Sequence, residues 1–105
     1  MKLSLDDQLK LALACGYEGA WIFEDRMVRL PPPRKFENWR SFIPTAPDTL
    51  MRLMEKLSIG IKPMRYGYKA QHYILPHVIR EKHTAEAEQI TDAILECSME
   101  VINDG

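Results

Sequence analysis

Basic and aromatic side chains interleave around one glycine in the run Met64-Arg65-Tyr66-Gly67-Tyr68-Lys69-Ala70-Gln71-His72. Arginine and lysine pair with phosphate or carboxylate, and a tyrosine ring stacks on a base or another ring. A glycine turn brings such groups to one tip. Arg65, Tyr66, Tyr68, Lys69 and His72 are therefore candidate binding residues for an anionic or acidic partner. Trp21, Arg26 and Arg29, on an earlier apolar segment, extend that surface if the two segments join in one sheet. The simpler account of the run is two half-buried turn tyrosines among solvated basic groups.

Other constellations carry less. The histidines are His72, His77 and His83. A spacing of five along one strand puts His72 and His77 on opposite faces, which argues against a shared metal. Pairing of Cys97 with His77, or of Cys15 with His72, would suit nucleophilic catalysis, but only if the tertiary fold brought them together beside an oxyanion site. The adjacent carboxylates Asp6-Asp7 and Glu24-Asp25 diverge on a helix or strand, so neither pair faces itself across a substrate. Gly60 and Gly67 are isolated, with no phosphate-cradling Gly-Lys-Ser or Gly-Lys-Thr nearby. Cys15 and Cys97 show no zinc spacing and read as buried, reduced thiols. No catalytic residue, metal or cofactor is expected.

Charge is divided along the chain. Residues 1–25 hold two lysines and five carboxylates, for −3. Residues 26–82 hold twelve Lys and Arg against Glu37, Asp48, Glu55 and Glu81, for +8. Residues 83–105 hold six carboxylates and no Lys or Arg, for −6. Such asymmetry suits an anionic partner for the basic part, or acidic helices packed beside a basic sheet so that the fields cancel. A dedicated duplex binder usually carries clear net positive charge, whereas this chain totals −1. Glu88, Asp92 and Glu96 repeat every four residues, flanked by Glu86 and Glu100; such a face can imitate a phosphate backbone, and more commonly is simply solvated.

The elements that must position these groups follow from periodicity. Ser4 caps a helix over Leu5–Ala14, with Leu5, Leu9, Ala12 and Leu13 on its apolar face and Gly16 ending it. Residues 20–30 read as a hairpin turning at Glu24-Asp25 and stopped by Pro31-Pro32-Pro33. Phe36, Trp39 and Phe42 recur every three residues, as in a helical turn or an aromatic-pinned loop. Thr45 caps a second helix over 46–57, with Leu50, Leu53, Met54 and Leu57 inward and Gly60 beyond its end. Ile59–Met64 and Lys69–Ile79 read as strands about the Tyr66-Gly67 turn, with Pro63 and Pro76 favouring edges or ends. Thr84 caps a long third helix over 85–102, its apolar face Ala87, Ile90, Ile94, Cys97 and Val101. At 105 residues this is one domain spanning 1–105. The class is α+β, a single small domain of antiparallel β-hairpins covered by helices in the order helix–hairpin–helix–hairpin–helix. No run approaches the roughly 18 apolar residues of a membrane helix. The N-terminus turns acidic at Asp6-Asp7, too early for a secretory signal, so a cytoplasmic protein is expected.

From Asp6 to Ile102 the layout resembles the phage ABA sandwich domain. The resemblance rests on a short helix ending in Cys15-Gly16-Tyr17, then a Trp-bearing strand with a polar turn and a proline stop, Trp21 to Pro32. A Thr-initiated amphipathic helix follows, Thr45 to Leu57, ending Glu55-Lys56-Leu57. After a two-stranded segment, Thr84-Ala85-Glu86 opens a helix with an Ala93-Ile94-Leu95-Glu96-Cys97 core. The chain departs from the pattern in the insertion-like Arg34 to Phe42 and in the long strand interrupted by Pro76. The family carries no established activity. The resemblance implies a phage or prophage accessory protein, non-enzymatic, binding a host component in the host cytoplasm and inhibiting a host enzyme or a host defence. The alternative from the basic aromatic turn is a binder that sequesters an anionic small ligand or nucleotide, and the third reading is a small hydrolase using a histidine. Expected partners are a host protein or an anionic small ligand, with no membrane; nucleic acid and a homo-oligomer stay open.

Overall fold

The computed structural model describes residues 2–32, 38–75 and 78–104. Phe36 of the aromatic triplet, together with Pro33, Pro76 and His77, lies outside them.

Helix α1 spans Leu5–Ala14. The Ser4 hydroxyl accepts the Asp7 N–H at 3.1 Å, and Asp6 and Asp7 sit at the positive end of the helix dipole. The helix closes in a Schellman turn: Tyr17 N–H reaches Ala12 O, Gly16 N–H reaches Leu13 O, and Gly16 takes φ +93°. Its inward stripe is Leu11, Ala12 and Cys15. Leu13, expected inside, is 51% exposed. The buried side is set by the neighbours, since α2, α3 and the first sheet all press against the Leu11–Cys15 line.

The first sheet has strand order β1-β2-β3, with β1 Trp21–Phe23, β2 Met27–Leu30 and β3 Arg40–Ser41, all antiparallel. Glu24 and Asp25 both take positive φ (48° and 54°), as a primed hairpin turn requires, and Arg26 N–H closes it on Phe23 O at 3.0 Å. Strand β3 replaces the expected helical turn or loop. Its two residues pair with Arg29 and Leu30, and Phe42 N–H donates to Val28 O at 2.7 Å, which buries the Phe42 ring.

Helix α2 spans Pro47–Leu57. Thr45 does not cap it; Ala46 holds the N-cap position without a side-chain bond, and the Thr49 hydroxyl ties the entry down by donating to Ile43 O at 2.8 Å. Proline in the first turn needs no N–H partner there. Ser58, in the left-handed conformation at φ 54°, ends the helix in place of Gly60.

The second sheet is β4-β5-β6, antiparallel: β4 Ile59–Met64, β5 Gly67–Leu75 and β6 Val78–Ala87. Two sequence expectations fail together here. The single strand Lys69–Ile79 is two strands, since β5 ends at Leu75 and the chain returns as β6. Helix α3 then starts at Ile90, not Ala85, and runs to Asp104. Thr84 lies within β6 and is not the cap of α3; it pairs with Gln71, while Ala85 faces Ala70 and Ala87 faces Tyr68. The helix propensity of Ala-Glu-Ala is outweighed because a small residue on every second position lets α3 lie close against the sheet.

Ala70, Ala93, Ile59 and Cys97 form that contact, with Ile61, Tyr68, Ala85 and Ala87 packed around it. A second core joins the three helices to the first sheet through Leu11, Val28, Leu53, Leu95 and Phe42. The fold is thus α+β, with each expected hairpin extended by a third strand. No helix among the described residues is long and apolar enough to cross a membrane.

Candidate functional site

Arg65 and Tyr66 form a two-residue loop between the paired residues Met64 and Gly67. Gly67, at φ +142°, lies against the end of β6, where a Cβ would stand 2.4 Å from Ala87 O. The glycine therefore lets the turn dock on the β6–α3 connection, and an open cleft of about 400 Å³ forms between them. Its walls are Met64–Tyr68 on one side and Glu86, Ala87 and Glu88 on the other. Tyr66 is 81% exposed at the rim, with the Arg65 guanidinium 5.4 Å from its ring centre. No carboxylate of the described residues pairs with Arg65, Lys62 or Lys69. The cleft joins an exposed ring and a cation on one wall to two carboxylates on the other.

The eight residues expected to share a surface do not. Strand alternation splits the run: Tyr68, Ala70 and His72 face α3, whereas Lys69 lies on the opposite face beside Lys62, its cross-strand partner. Tyr68 lines the cleft with part of its ring and packs the rest into the core. His72 leaves the turn altogether for a contact described below. Trp21, Arg26 and Arg29 belong to the first sheet, which does not join the second. There Trp21 packs edge-on against Phe23 (5.4 Å) and Trp39 (5.8 Å), with both tryptophans about half exposed. Arg29 stacks 4.6 Å over Phe23, and its buried Nε has no hydrogen-bond partner among the described residues. The acidic helix face loses Glu88, which precedes α3; Asp92, Glu96 and Glu100 keep the four-residue spacing.

The cysteines are free and buried. Cys15 donates to Thr49 O at 3.9 Å and Cys97 to His83 O at 3.2 Å, so neither engages an imidazole ring through these bonds. Burial pushes the Cys15 thiol up to about 11 against a small opposing pull from Arg52. Burial likewise pushes Cys97 up to about 11, with Glu100 adding to it. Thiols held this way are poor nucleophiles at neutral pH.

One cluster went unseen in the sequence. His72 and His83 meet across β5 and β6 with Nδ1 atoms 3.1 Å apart, and His83 Nε2 lies 2.8 Å from Asp104 Oδ2. His83 is almost wholly buried, and a smaller cleft of about 290 Å³ lined by Glu100, Asn103 and Asp104 opens beside it. The available signal was a strand break near Pro76, which would have placed His72 and His83 on neighbouring strands.

Compared with protein families, curated proteins and solved structures, the chain matches no family model, no curated protein and no solved structure.

Proposed function

We propose that this chain is a non-enzymatic binding protein that takes an anionic partner at the β4–β5 turn. The observation that carries the reading is the cleft itself: Arg65 and Tyr66 stand at its rim, exposed, and no carboxylate among the described residues pairs with Arg65. An exposed cation beside an exposed ring offers an anion a charge-assisted bond next to a stacking surface. The resemblance to the phage ABA sandwich domain supports a phage accessory role in the host cytoplasm, with a host component as the partner and its inhibition as the outcome.

A second reading, capture of a nucleotide-like small ligand, has its own support. The cleft volume falls within the usual range for small-molecule sites, about 300–1,000 Å³, and Glu86 and Glu88 can accept N–H groups of a base while Arg65 holds the phosphate. The test is Arg65→Ala with Tyr66→Ala. The double variant should keep the parent's thermal midpoint and lose binding, whether of a protein captured from host lysate or of a nucleotide found by native mass spectrometry. Salt should weaken parent binding, since exposed charges are screened over about 10 Å at 0.1 M. Binding that survives the double substitution unchanged refutes the site. A bound nucleotide in the purified protein favours the second reading over the first.

A further inference from the structure

We propose that His72 and His83 form a two-imidazole site for a divalent d-block cation such as Zn(II), Ni(II) or Co(II), with Asp104 orienting His83. The inference is independent of the turn. Gln71 pairs with Thr84, so the next residues along the two strands, His72 and His83, stand opposite one another where the ladder leaves its regular register. Their Nδ1 atoms are 3.1 Å apart and the rings are tilted by 33°. Two imidazole nitrogens at about 2.0–2.1 Å from one zinc ion and 3.1 Å apart subtend roughly 100° at the metal, close to a tetrahedral angle.

Asp104 fixes which atom of His83 is the donor. An ionised carboxylate can only accept, so its 2.8 Å contact assigns the ring proton to Nε2. In the neutral imidazole this makes Nδ1 the unprotonated nitrogen, 3.1 Å from the Nδ1 of His72. A carboxylate on the far nitrogen of a ligating histidine is the usual support for a metal-bound imidazole. The His83 backbone is held in turn, because Cys97 Sγ donates to its carbonyl at 3.2 Å. The gap between the two Nδ1 atoms therefore takes either a proton carried by His72 or a cation bound by both.

Imidazole pairs select zinc, nickel, copper or cobalt over magnesium and calcium, which require oxygen ligands. Among the described residues no group of three or more His, Cys, Asp or Glu forms a metal cluster. Among the described residues the metal-facing groups are therefore these two imidazoles. The spacing of His72 and His77 along one strand has no bearing on a pair that sits on two strands.

The test titrates the full chain with Zn(II) and with Co(II). One equivalent should bind, with Co(II) giving visible bands from nitrogen ligation. His72→Gln should weaken binding at least tenfold, and Asp104→Asn by about 10- to 100-fold, the usual effect of removing an outer carboxylate. His83→Gln carries a risk of misfolding because the side chain is buried, so the deciding measurement uses the unaltered chain. In long-range 1H–15N spectra, saturating zinc should shift the Nδ1 resonances of His72 and His83 together. The proposal is overturned if no stoichiometric binding occurs, if His72→Gln binds as tightly as the parent, or if one Nδ1 keeps its proton at saturating zinc. The last result would show that the gap holds only a shared hydrogen bond.

Discussion

Substituting Gly67 by alanine isolates the contact that builds the cleft. Two costs combine there. The first is conformational: φ +142° belongs to a region that L residues occupy at about 1–3 kcal/mol. The second is steric: the new Cβ would stand 2.4 Å from Ala87 O and 3.1 Å from Glu88 Cα, and both neighbours are backbone. No rotamer change relieves such a clash, so the end of β6 must withdraw. Together these give a loss of about 2–4 kcal/mol, or a fall of roughly 8–32 °C in thermal midpoint at about 4–8 °C per kcal/mol for a domain near this size. Gly19→Ala is the control. Gly19 is also left-handed, at φ +82°, but its Cβ would meet only Pro31 Cγ at an ordinary 3.7 Å. Left-handed strain alone costs about 1–2 kcal/mol. Urea and thermal melts of both variants should therefore place Gly67→Ala clearly below Gly19→Ala. Equal losses would refute the reasoning, since the docking of the turn on β6 would then contribute nothing.

Three further outcomes follow from burial and capping. Leu53→Ala and Ile94→Ala should each lose about 2–5 kcal/mol in urea melts, since both side chains are buried and their removal leaves cavities; unchanged midpoints would contradict the helix faces. Cys15 and Cys97 should resist native-state alkylation at pH 8 and label rapidly only on unfolding. Their folded-state pKa of about 11 lies above the usual value of 9.0, so the stability they contribute is complete below pH 9 and is lost as pH rises from 9 through 11; a melt midpoint that holds steady across that window speaks against the burial. Ser58→Gly should raise stability by about 0.5–1 kcal/mol, because glycine adopts the left-handed cap without strain, and a lower midpoint would show that the serine side chain is needed.

How much of this fold was legible depends on whether local pattern or long-range pairing fixes each element. Helix α1 was readable to the residue because Ser4 and Gly16 carry its start and stop within the segment. The β1–β2 turn was readable from the polar Glu24-Asp25 between apolar runs, although only the structure shows that both take positive φ. The boundary of α3 was not. Thr84-Ala85-Glu86-Ala87 has the composition of a helix start, yet its alternation matches β5, and pairing of Ala85 with Ala70 buries the stripe that α3 needs. Strand β3 is two residues long and has no periodicity to read; its place is set by Phe42, whose ring enters the core.

The same distinction governs the site. The turn was legible because its residues are adjacent in sequence, and the cleft wall at Glu86–Glu88 was not, because it depends on β6 pairing beside β5. Reading Lys69–Ile79 as one strand hid more than a boundary. It set His72 and His77 on one strand, where their spacing diverges, and left His83 just ahead of a helix cap, away from both. Breaking that strand after Leu75 sends the chain back antiparallel and brings His83 opposite His72. Asp104 then reaches His83 only because α3 crosses the sheet and carries its last turn over β6. Each of the three groups is unremarkable where it stands in the sequence. Their juxtaposition is a product of register, and shifting β6 by one residue would turn His83 to the other face of the sheet, away from both partners.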